Sequence, residues 1–274
     1  MAETPLGTEP VYTLGSDEAE RERLRRQSDE LREHACTLLD RVGPLLGACV
    51  LDLGCGPSGT LELLSERVGP SGRVVGMDLD PVHVAHAREL VQARGLANVE
   101  VLEADATCTG LPSGGFDLIS SRLLLVNIPS AARVVTEMAR LLRPGGWVLG
   151  QEADCVFICE PPHPAFSRLM EVFVTLYEQD GADCNVGRRL PEMYRAAGLI
   201  DAGAEVHAEM WPADHPRRAI MIDLVRAMRP KILARGLLAA AELDELEREA
   251  RAHLADPHTL SLPYLYFLAW ARKP

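Results

Sequence analysis

Residues 50–59 read Val-Leu-Asp-Leu-Gly-Cys-Gly-Pro-Ser-Gly. A short apolar strand here runs into a turn that contains Gly54, Gly56 and Gly59, and an amphipathic stretch begins at Leu61. Glycine is required where the backbone takes positive φ or comes into contact with a ligand. A turn this tight at the carboxyl end of a parallel strand builds a nucleotide-sized pocket. The stretch therefore predicts an open α/β sheet with a nucleotide-like ligand at its edge.

The glycine pattern by itself leaves the ligand open, because a nicotinamide dinucleotide would suit it equally well. Asp52 lies two residues before Gly54, where a dinucleotide-binding strand is normally apolar, and its carboxylate favours a cationic ligand over a pyrophosphate. The next strand ends in Asp78, 24 residues after Gly54, and this carboxylate can accept hydrogen bonds from ribose hydroxyls. Both cofactor interpretations remain compatible with these two units.

The third unit separates the two interpretations. The segment 99–106 reads Val-Glu-Val-Leu-Glu-Ala-Asp-Ala, so that Asp105 could accept an adenine amino hydrogen while Ala106 offers a backbone N–H. A fourth strand is predicted over 116–122, and a fifth follows the helix end at Arg143-Pro-Gly-Gly. Repeated strand-then-helix units of this size predict a parallel, doubly wound sheet with its site along the carboxyl edge.

The ordered run Leu-Asp-Leu-Gly-Cys-Gly, Gly-Met-Asp, Glu-Ala-Asp-Ala, Phe-Asp-Leu-Ile and Leu-Arg-Pro-Gly-Gly resembles the class I S-adenosylmethionine-dependent methyltransferases over about residues 45–152. More loosely, Tyr12-Thr-Leu-Gly looks like the entry segment of methyltransferases that act on bacterial secondary metabolites. The segment 264–272 looks like their last, antiparallel strand. The resemblance implies an α/β fold with a doubly wound Rossmann-like seven-stranded sheet, mostly parallel, with N-terminal helices and a helical lid.

The resemblance also implies S-adenosyl-L-methionine as the cofactor and a set of residues that bind it. The expected cofactor-binding residues are Tyr12, Gln27, Asp52, Gly54, Cys55, Gly56, Asp78, Leu79, Asp105, Ala106, Ser121 and Arg122. Asp52 has a second interpretation, in which it only braces the glycine turn. Arg122 could pair either with the methionine carboxylate of the cofactor or with an acidic residue on a neighbouring loop.

Three regions are expected along the chain. Residues 1–45 form a helical cap over the cofactor site, residues 46–152 form the cofactor-binding core, and residues 153–274 form a substrate-side half with the last two sheet strands. Apolar side chains repeat at helical spacing within 160–180 and 215–236. These stripes are either ordinary core packing or a lid over a bulky hydrophobic substrate.

The reaction implied is methyl transfer to an oxygen or nitrogen of a hydrophobic small molecule, a natural product. Since a sulfonium-bound methyl group is already activated, the protein's main contribution is positioning. Glu152 and His163 are the candidate general bases, and no metal site is expected. Two alternatives remain: a protein that binds the cofactor and catalyses a non-methylating step such as a cyclisation, and an NAD-dependent oxidoreductase.

Composition limits the partners. A net charge of −12 argues against nucleic acid or an anionic membrane as a partner, since both require a basic surface. Met1–Pro10 lacks the parts of a signal peptide and no apolar run is long enough for a membrane span, so a cytoplasmic protein is expected. His83, His86 and His253 are predicted to lie on helix surfaces. The long N-terminal helices could exchange contacts in a homodimer.

Overall fold

The computed structural model describes residues 18–57 and 59–274. The strands are β1 (Cys49–Leu53), β2 (Arg73–Asp78), β3 (Val99–Glu103), β4 (Phe116–Arg122), β5 (Leu142–Asp154), β6 (Ile158–Glu160), β7 (Ile200–Ala208), β8 (Leu260–Leu262) and β9 (Leu265–Arg272). The α-helices are α1 (Glu18–Glu30), α2 (Arg32–Val42), α3 (Leu61–Val68), α4 (Pro81–Arg94), α5 (Ala131–Leu141), α6 (Pro164–Gln179), α7 (Leu190–Ala196), α8 (Ile220–Ala227), α9 (Arg229–Ala234) and α10 (Ala240–Ala255).

Within the described residues, seven strands form one sheet in the order β3-β2-β1-β4-β5-β9-β7. Strands β1 to β5 run parallel, whereas β9 is antiparallel to both β5 and β7. This confirms the predicted Rossmann-like sheet and its antiparallel last strand. A separate two-stranded sheet of β6 and β8 was not predicted. The chain leaves β1 toward β2 on one side and returns to β4 on the other, so the strand order reverses between β1 and β4, where open α/β sheets bind their ligands.

Alternating residues of the central strands fill two cores on opposite faces of the sheet. Val50 packs with Leu64 of α3 and Val84 of α4, whereas the next residue, Leu51, belongs to the core on the other face together with Met138 of α5. All five side chains are almost completely buried. Since successive side chains of a strand point to opposite faces, the continuous apolar run in β1 follows from its position between two helical layers.

Helix α4 begins and ends at the residues that its sequence indicates. The Asp80 side chain accepts a hydrogen bond from the Val82 N–H at 2.8 Å, and Pro81 occupies the first helical position. Gly95 ends the helix in the left-handed conformation with φ of 64°. These caps orient α4 directly behind the end of β2.

The second half of the chain adds helices to the carboxyl edge of the sheet. Helix α6 packs against α10, α8 and α9, and its buried face includes Leu169, Phe173 and Leu176. The predicted apolar stripe of residues 160–180 is therefore part of the core, and one end of it reaches the cavity described below. No helix among residues 18–57 and 59–274 combines the length and the apolar character that crossing a membrane requires.

Candidate active site

One cavity of about 690 Å³ opens at the carboxyl ends of β1, β2, β3 and β4. Its walls come from the glycine turn, the ends of these strands, the loop after β4, helices α6, α8 and α9, and the start of β9. A smaller cavity of about 480 Å³ lies between α1, α3 and α4. The larger cavity is the candidate active site, because it contains the strand ends at which the sheet order reverses.

The glycine turn approaches its own backbone so closely that one position excludes any side chain. A Cβ at Gly59, where φ is +42°, would collide with the carbonyl oxygen of Cys55 and lie 2.8 Å from Asp52 Oδ2. At Gly56, with φ of +57°, a Cβ would meet nothing within 4 Å. Gly56 also lines the cavity. The turn is therefore tight on its inner side and leaves open space beside the backbone on the cavity side.

Asp78 links the end of β2 to the glycine turn. Its Oδ2 accepts a hydrogen bond from the Gly56 N–H at 2.8 Å, and its Oδ1 accepts one from the Asp80 N–H at 3.0 Å. Burial works to raise the pKa of Asp78, but hydrogen bonds from His83, Asp80 and Gly56 outweigh it and hold the pKa below its usual value. The ionised carboxylate retains further acceptor positions at the cavity wall.

His83 was predicted to lie on the surface of a helix, and this prediction is wrong. Its side chain is buried, and Nδ1 lies 3.6 Å from Asp78 Oδ1. Because His83 is in the first turn of α4, the helix carries it against the end of β2. His86 and His253 are partly exposed, and His253 Nε2 lies 2.8 Å from the Pro161 carbonyl oxygen.

Asp52 and Arg122 both brace the turn from below. Asp52 Oδ2 accepts hydrogen bonds from the Thr60 N–H at 3.1 Å and the Thr60 hydroxyl at 3.0 Å. Arg122 Nη2 donates to the Ser28 hydroxyl at 2.9 Å and to the Gly59 carbonyl at 3.0 Å. Burial raises the pKa of Asp52 and lowers the pKa of Arg122. Arg122 thus joins α1 to the glycine turn at the wall of the cavity, and Asp52 holds the end of that turn at Thr60.

Most of the predicted cofactor residues converge on this cavity. Those that line it are Gln27, Asp52, Gly54, Cys55, Gly56, Asp78, Leu79, Asp105, Ala106 and Arg122. Asp105 Oδ1 also accepts a hydrogen bond from the Thr107 N–H at 2.7 Å, which shapes the turn after β3. Tyr12 lies outside the described residues.

Ser121 is not among the residues that line the cavity. It is 1% exposed and borders a void of about 10 Å³ beneath α2, and its hydroxyl has no hydrogen-bond partner within the described residues. Arg122 borders the same void but, unlike Ser121, it also lines the larger cavity. The structure therefore gives Ser121 no contact with the proposed cofactor position.

Glu152 is completely buried behind the loop that follows β4 and does not line the cavity. Its Oε1 accepts hydrogen bonds from the N–H groups of Leu124 at 3.0 Å and Leu125 at 2.9 Å. Its Oε2 accepts one from the Val126 N–H at 3.2 Å. Burial raises the pKa of Glu152 to about 7, although these three N–H groups act to lower it. This geometry favours a structural role in holding a loop whose residues Leu124 and Val126 line the cavity.

His163 likewise lies away from the cavity. It is the N-terminal cap of α6, where its Nδ1 accepts a hydrogen bond from the Ala165 N–H at 3.3 Å, and its ring stacks on His253 with centroids 4.7 Å apart. A role for Glu152 or His163 as general base stays a prediction, and the geometry weighs against it. Within the described residues, no group of three His, Cys, Asp or Glu side chains could hold a metal ion.

Sequence reasoning assigned no individual site role to the residues of the opposite wall. They are Asn127, Cys155, Tyr177, Asp180, Met228, Lys231, Arg235, Tyr264 and Tyr266. The Tyr177 hydroxyl donates to Asn127 Oδ1 at 3.4 Å. Burial raises the pKa of Tyr266 to about 12, and it raises the pKa of Tyr264 further above the usual value. The apolar stripes within 160–180 and 215–236 were the available signal, but their spacing does not show which members reach a cavity.

These residues match what an adenosyl sulfonium requires. The ends of β2 and β3 present the carboxylates Asp78 and Asp105, the buried Asp52 lies beneath the turn, and Gly56 leaves room for close approach. Asp78 can accept hydrogen bonds from ribose hydroxyls, and acidic groups suit a cation. The wall around β1 to β3 is therefore the part of the cavity that would hold S-adenosylmethionine.

Comparisons with known proteins indicate the family of the chain. The family model described as a methyltransferase domain matches residues 50–146. The chain is 30% identical over 177 residues to the demethylmenaquinone methyltransferase of Geobacillus stearothermophilus, covering 60% of this chain and 76% of that one. It is 40% identical over 116 residues to the nocamycin O-methyltransferase of Saccharothrix syringae, covering 42% of this chain and 41% of that one.

A solved structure shares the fold. It is phosphoethanolamine N-methyltransferase 2 of Haemonchus contortus, in complex with phosphomonomethylethanolamine and S-adenosylhomocysteine. The TM-score is 0.56 at 21% identity, and the match covers 89% of this chain and 53% of that one. The glycine turn, the acidic strand ends and these similarities lead to one assignment. The chain belongs to the class I S-adenosylmethionine-dependent methyltransferases and, with S-adenosylmethionine as its cofactor, it methylates small molecules.

Proposed function

We propose that the protein transfers a methyl group to an oxygen or nitrogen of a hydrophobic small molecule, a natural product. The observation that carries this proposal is the continuity of the cavity, which runs from Asp78 and the glycine turn to Leu176, Leu224 and Met228 on the added helices. Cavities for small ligands are typically about 300–1,000 Å³ and mostly apolar, with a few placed polar groups. The relatives named for small-molecule substrates support the same class.

The far wall of the cavity is apolar and aromatic. Its side chains come from Val126 and Ile128 in the loop after β4, from Leu176 and Tyr177 on α6, and from Tyr264 before β9. Phe157 lies behind this wall. Its ring packs edge-on against the ring of Phe173, with the two centroids 5.6 Å apart. Such a surface would exclude water and hold an aromatic or aliphatic substrate in a fixed orientation.

The proposed source of the rate of methyl transfer is the positioning of the acceptor atom against the methyl group. S-adenosylmethionine supplies an activated methyl group, so the protein must align the acceptor atom with it and keep water out. The raised pKa values of Tyr264 and Tyr266 keep both phenols neutral, and a neutral hydroxyl can orient an acceptor group by hydrogen bonding. In this proposal the bond from the acceptor to the methyl group forms as the carbon–sulfur bond breaks, S-adenosylhomocysteine leaves, and the proton of the acceptor passes to solvent. Glu152 and His163 do not line the cavity, which weighs against either as the proton acceptor.

The first test is calorimetry with S-adenosylhomocysteine on D78N. Removing the carboxylate charge weakens the hydrogen bonds to the ribose, so we expect the dissociation constant to rise by about 10- to 100-fold, since a hydrogen bond to a charged group contributes about 1.5–3 kcal/mol. Methyl transfer from labelled S-adenosylmethionine to a panel of hydrophobic phenols and amines then tests the acceptor class.

D40N is the matched control, because Asp40 pairs with Arg67 on the surface and its side chain is 65% exposed. We expect D40N to bind S-adenosylhomocysteine as the wild type does. Wild-type affinity in D78N would contradict the assignment of the adenosyl position. Binding of the cofactor without methyl transfer to any acceptor in the panel would favour a non-methylating reaction instead.

We also propose that the partners are limited to small molecules. The net charge of −12 supports this, because nucleic acids and anionic membranes attract basic surfaces. A location in the cytoplasm, a homodimer formed through the N-terminal helices, and the cap, core and lid division at residues 45 and 152 stay predictions. Cross-linking and sedimentation would test the homodimer.

A further inference from the structure

The charges that line the cavity are distributed unevenly. Around the glycine turn and the ends of β2 and β3 the carboxylates dominate. On the wall made by α6 and α9, by contrast, Lys231 and Arg235 face one carboxylate, that of Asp180. This wall is made by the added helices, whereas the glycine turn and the strand ends belong to the sheet.

The three side chains form a compact cluster. Lys231 Nζ donates to Asp180 Oδ2 at 3.0 Å, and Arg235 Nη2 donates to Asp180 Oδ1. Arg235 Nη1 also donates to the neutral amide oxygen of Gln179 at 3.3 Å. Burial works to raise the pKa of Asp180, but the hydrogen bonds from Arg235 and Lys231 lower it below the usual value. Asp180 is therefore ionised, and the cluster carries two positive charges and one negative charge.

A purely structural role, in which the three side chains only join α6 to α9, would explain only part of this arrangement. Asp180 ends α6 and Arg235 ends the short helix α9, so both helix C-termini add partial negative charge near the cluster, while the three side chains alone carry a net charge of +1. The side chains of Lys231 and Arg235 are only 28% and 33% exposed, so that water screens this excess incompletely. Elsewhere on α9, Arg229 is balanced by one carboxylate, that of Asp244 at 2.6 Å.

We propose that Lys231 and Arg235 bind a carboxylate of the acceptor substrate, which makes the substrate a hydrophobic carboxylic acid. This inference rests on the proposed function, because it concerns the acceptor part of the same cavity. A singly charged acid matches the net charge of +1 on the three side chains, whereas a phosphate dianion would exceed it. The ammonium and guanidinium groups supply charge-assisted donors, and the apolar wall accommodates the rest of the molecule.

The test uses pairs of probes that differ in charge alone. Naphthalene-2-carboxylic acid, biphenyl-4-carboxylic acid and anthracene-9-carboxylic acid are each compared with their primary amide on protein saturated with S-adenosylhomocysteine. Ligand-observed NMR gives the dissociation constants. We expect at least one acid to bind about tenfold or more tightly than its amide, because charge-assisted hydrogen bonds contribute about 1.5–3 kcal/mol.

Variants test whether Lys231 and Arg235 cause the preference for the acid over its amide. K231Q/R235Q should bring the acid-to-amide ratio to about one, whereas D180N should increase it by removing the competing carboxylate. K231R keeps the charge and should keep the preference, and R229Q on the same helix should leave it unchanged. Thermal unfolding and amide binding report whether each variant is folded.

The proposal is overturned if no acid binds better than its amide, or if K231Q/R235Q keeps the preference. It is also overturned if K231Q/R235Q loses acid and amide binding equally, because the three side chains would then only join α6 to α9. The measurement does not depend on methyl transfer. Failure of the proposed function would appear separately, as absent methyl transfer to aromatic acids that carry a hydroxyl or amino group by a protein that still prefers acids.

Discussion

Glu152 organises the loop after β4 through its carboxylate. Three consecutive backbone N–H groups, those of residues 124–126, donate to it, and Leu123 just before them has a positive φ of 50°. A buried N–H without an acceptor costs about 1–3 kcal/mol. The side chain therefore allows the backbone at the cavity wall to leave β4 in an irregular conformation while its polar groups remain satisfied.

E152A should lower the free energy of unfolding by several kcal/mol, because it leaves three buried N–H groups without acceptors and opens a cavity. Urea denaturation at pH 5 measures the effect. E152Q is the comparison variant, since its amide oxygen can still accept from the N–H groups of Leu124 and Leu125, and it should lose less stability than E152A. An E152A protein as stable as E152Q would contradict the role assigned to the carboxylate.

At the scale of elements, β5 and α7 approach each other at a glycine. A Cβ added at Gly150 would collide with Tyr194 Oη and lie 3.2 Å from Leu190 Cδ1. Tyr194 is completely buried, and its hydroxyl has no hydrogen-bond partner within the described residues. The close contact of this helix with the sheet thus depends on the absence of one side chain.

G150A should be destabilised by about 1–3 kcal/mol through overpacking. The double variant G150A/Y194F should recover most of this loss, because it removes the colliding oxygen and leaves no polar atom unsatisfied. Differential scanning calorimetry of the three proteins measures both effects. G115A serves as control, since its Cβ would meet only Pro112 O, at an ordinary 3.6 Å. Equal melting temperatures for G150A and G115A would refute the close packing.

At the scale of the whole molecule, the sheet and the added helices build the cavity together. The strand ends supply acidic groups around Asp78, and α6 and α9 supply the cluster at Asp180. Under the two proposals, cofactor binding at one wall and substrate binding at the other should be separable by mutation, although one cavity would hold both ligands. The buried acid Glu152 lies between the layers and couples the stability of the molecule to pH.

We expect the stability to fall as pH rises from about 4.5 to about 7. The pKa of Glu152 is about 7 in the folded protein, against 4.5 as its ordinary value, so in this window the folded state holds a proton that the unfolded state has lost. The contribution of protonated Glu152 to the free energy of unfolding is fully present below pH 4.5. It is lost as the pH rises through 7, at about 1 kcal/mol per pH unit. E152Q lacks this titrating group, so its unfolding free energy should not show this fall between pH 4.5 and pH 8. Parallel curves for the two proteins would contradict this prediction.

Local sequence signals were sufficient for the fold of the first half. The glycine turn, the Asp80-Pro81 cap and the alternation of apolar strands and amphipathic helices act over a few residues, so they can be recognised without knowing what packs against them. The same signals identified the cofactor, and ten of the residues that they predict to bind it line one cavity. They did not show that His83 would be buried, because the environment of a helical side chain depends on the phase of the helix against the sheet.

The sequence by itself determined the class of fold, the family and the cofactor, and it predicts that the adenosyl group binds at the carboxyl ends of the strands. Only the tertiary structure decided that Glu152 supports a loop, that Arg122 braces the glycine turn, and that Lys231 and Arg235 meet Asp180 about 50 residues away. The physical reason is distance along the chain. Contacts between remote segments depend on how helices pack, and many sequences with the same apolar pattern would place different charges in the cavity.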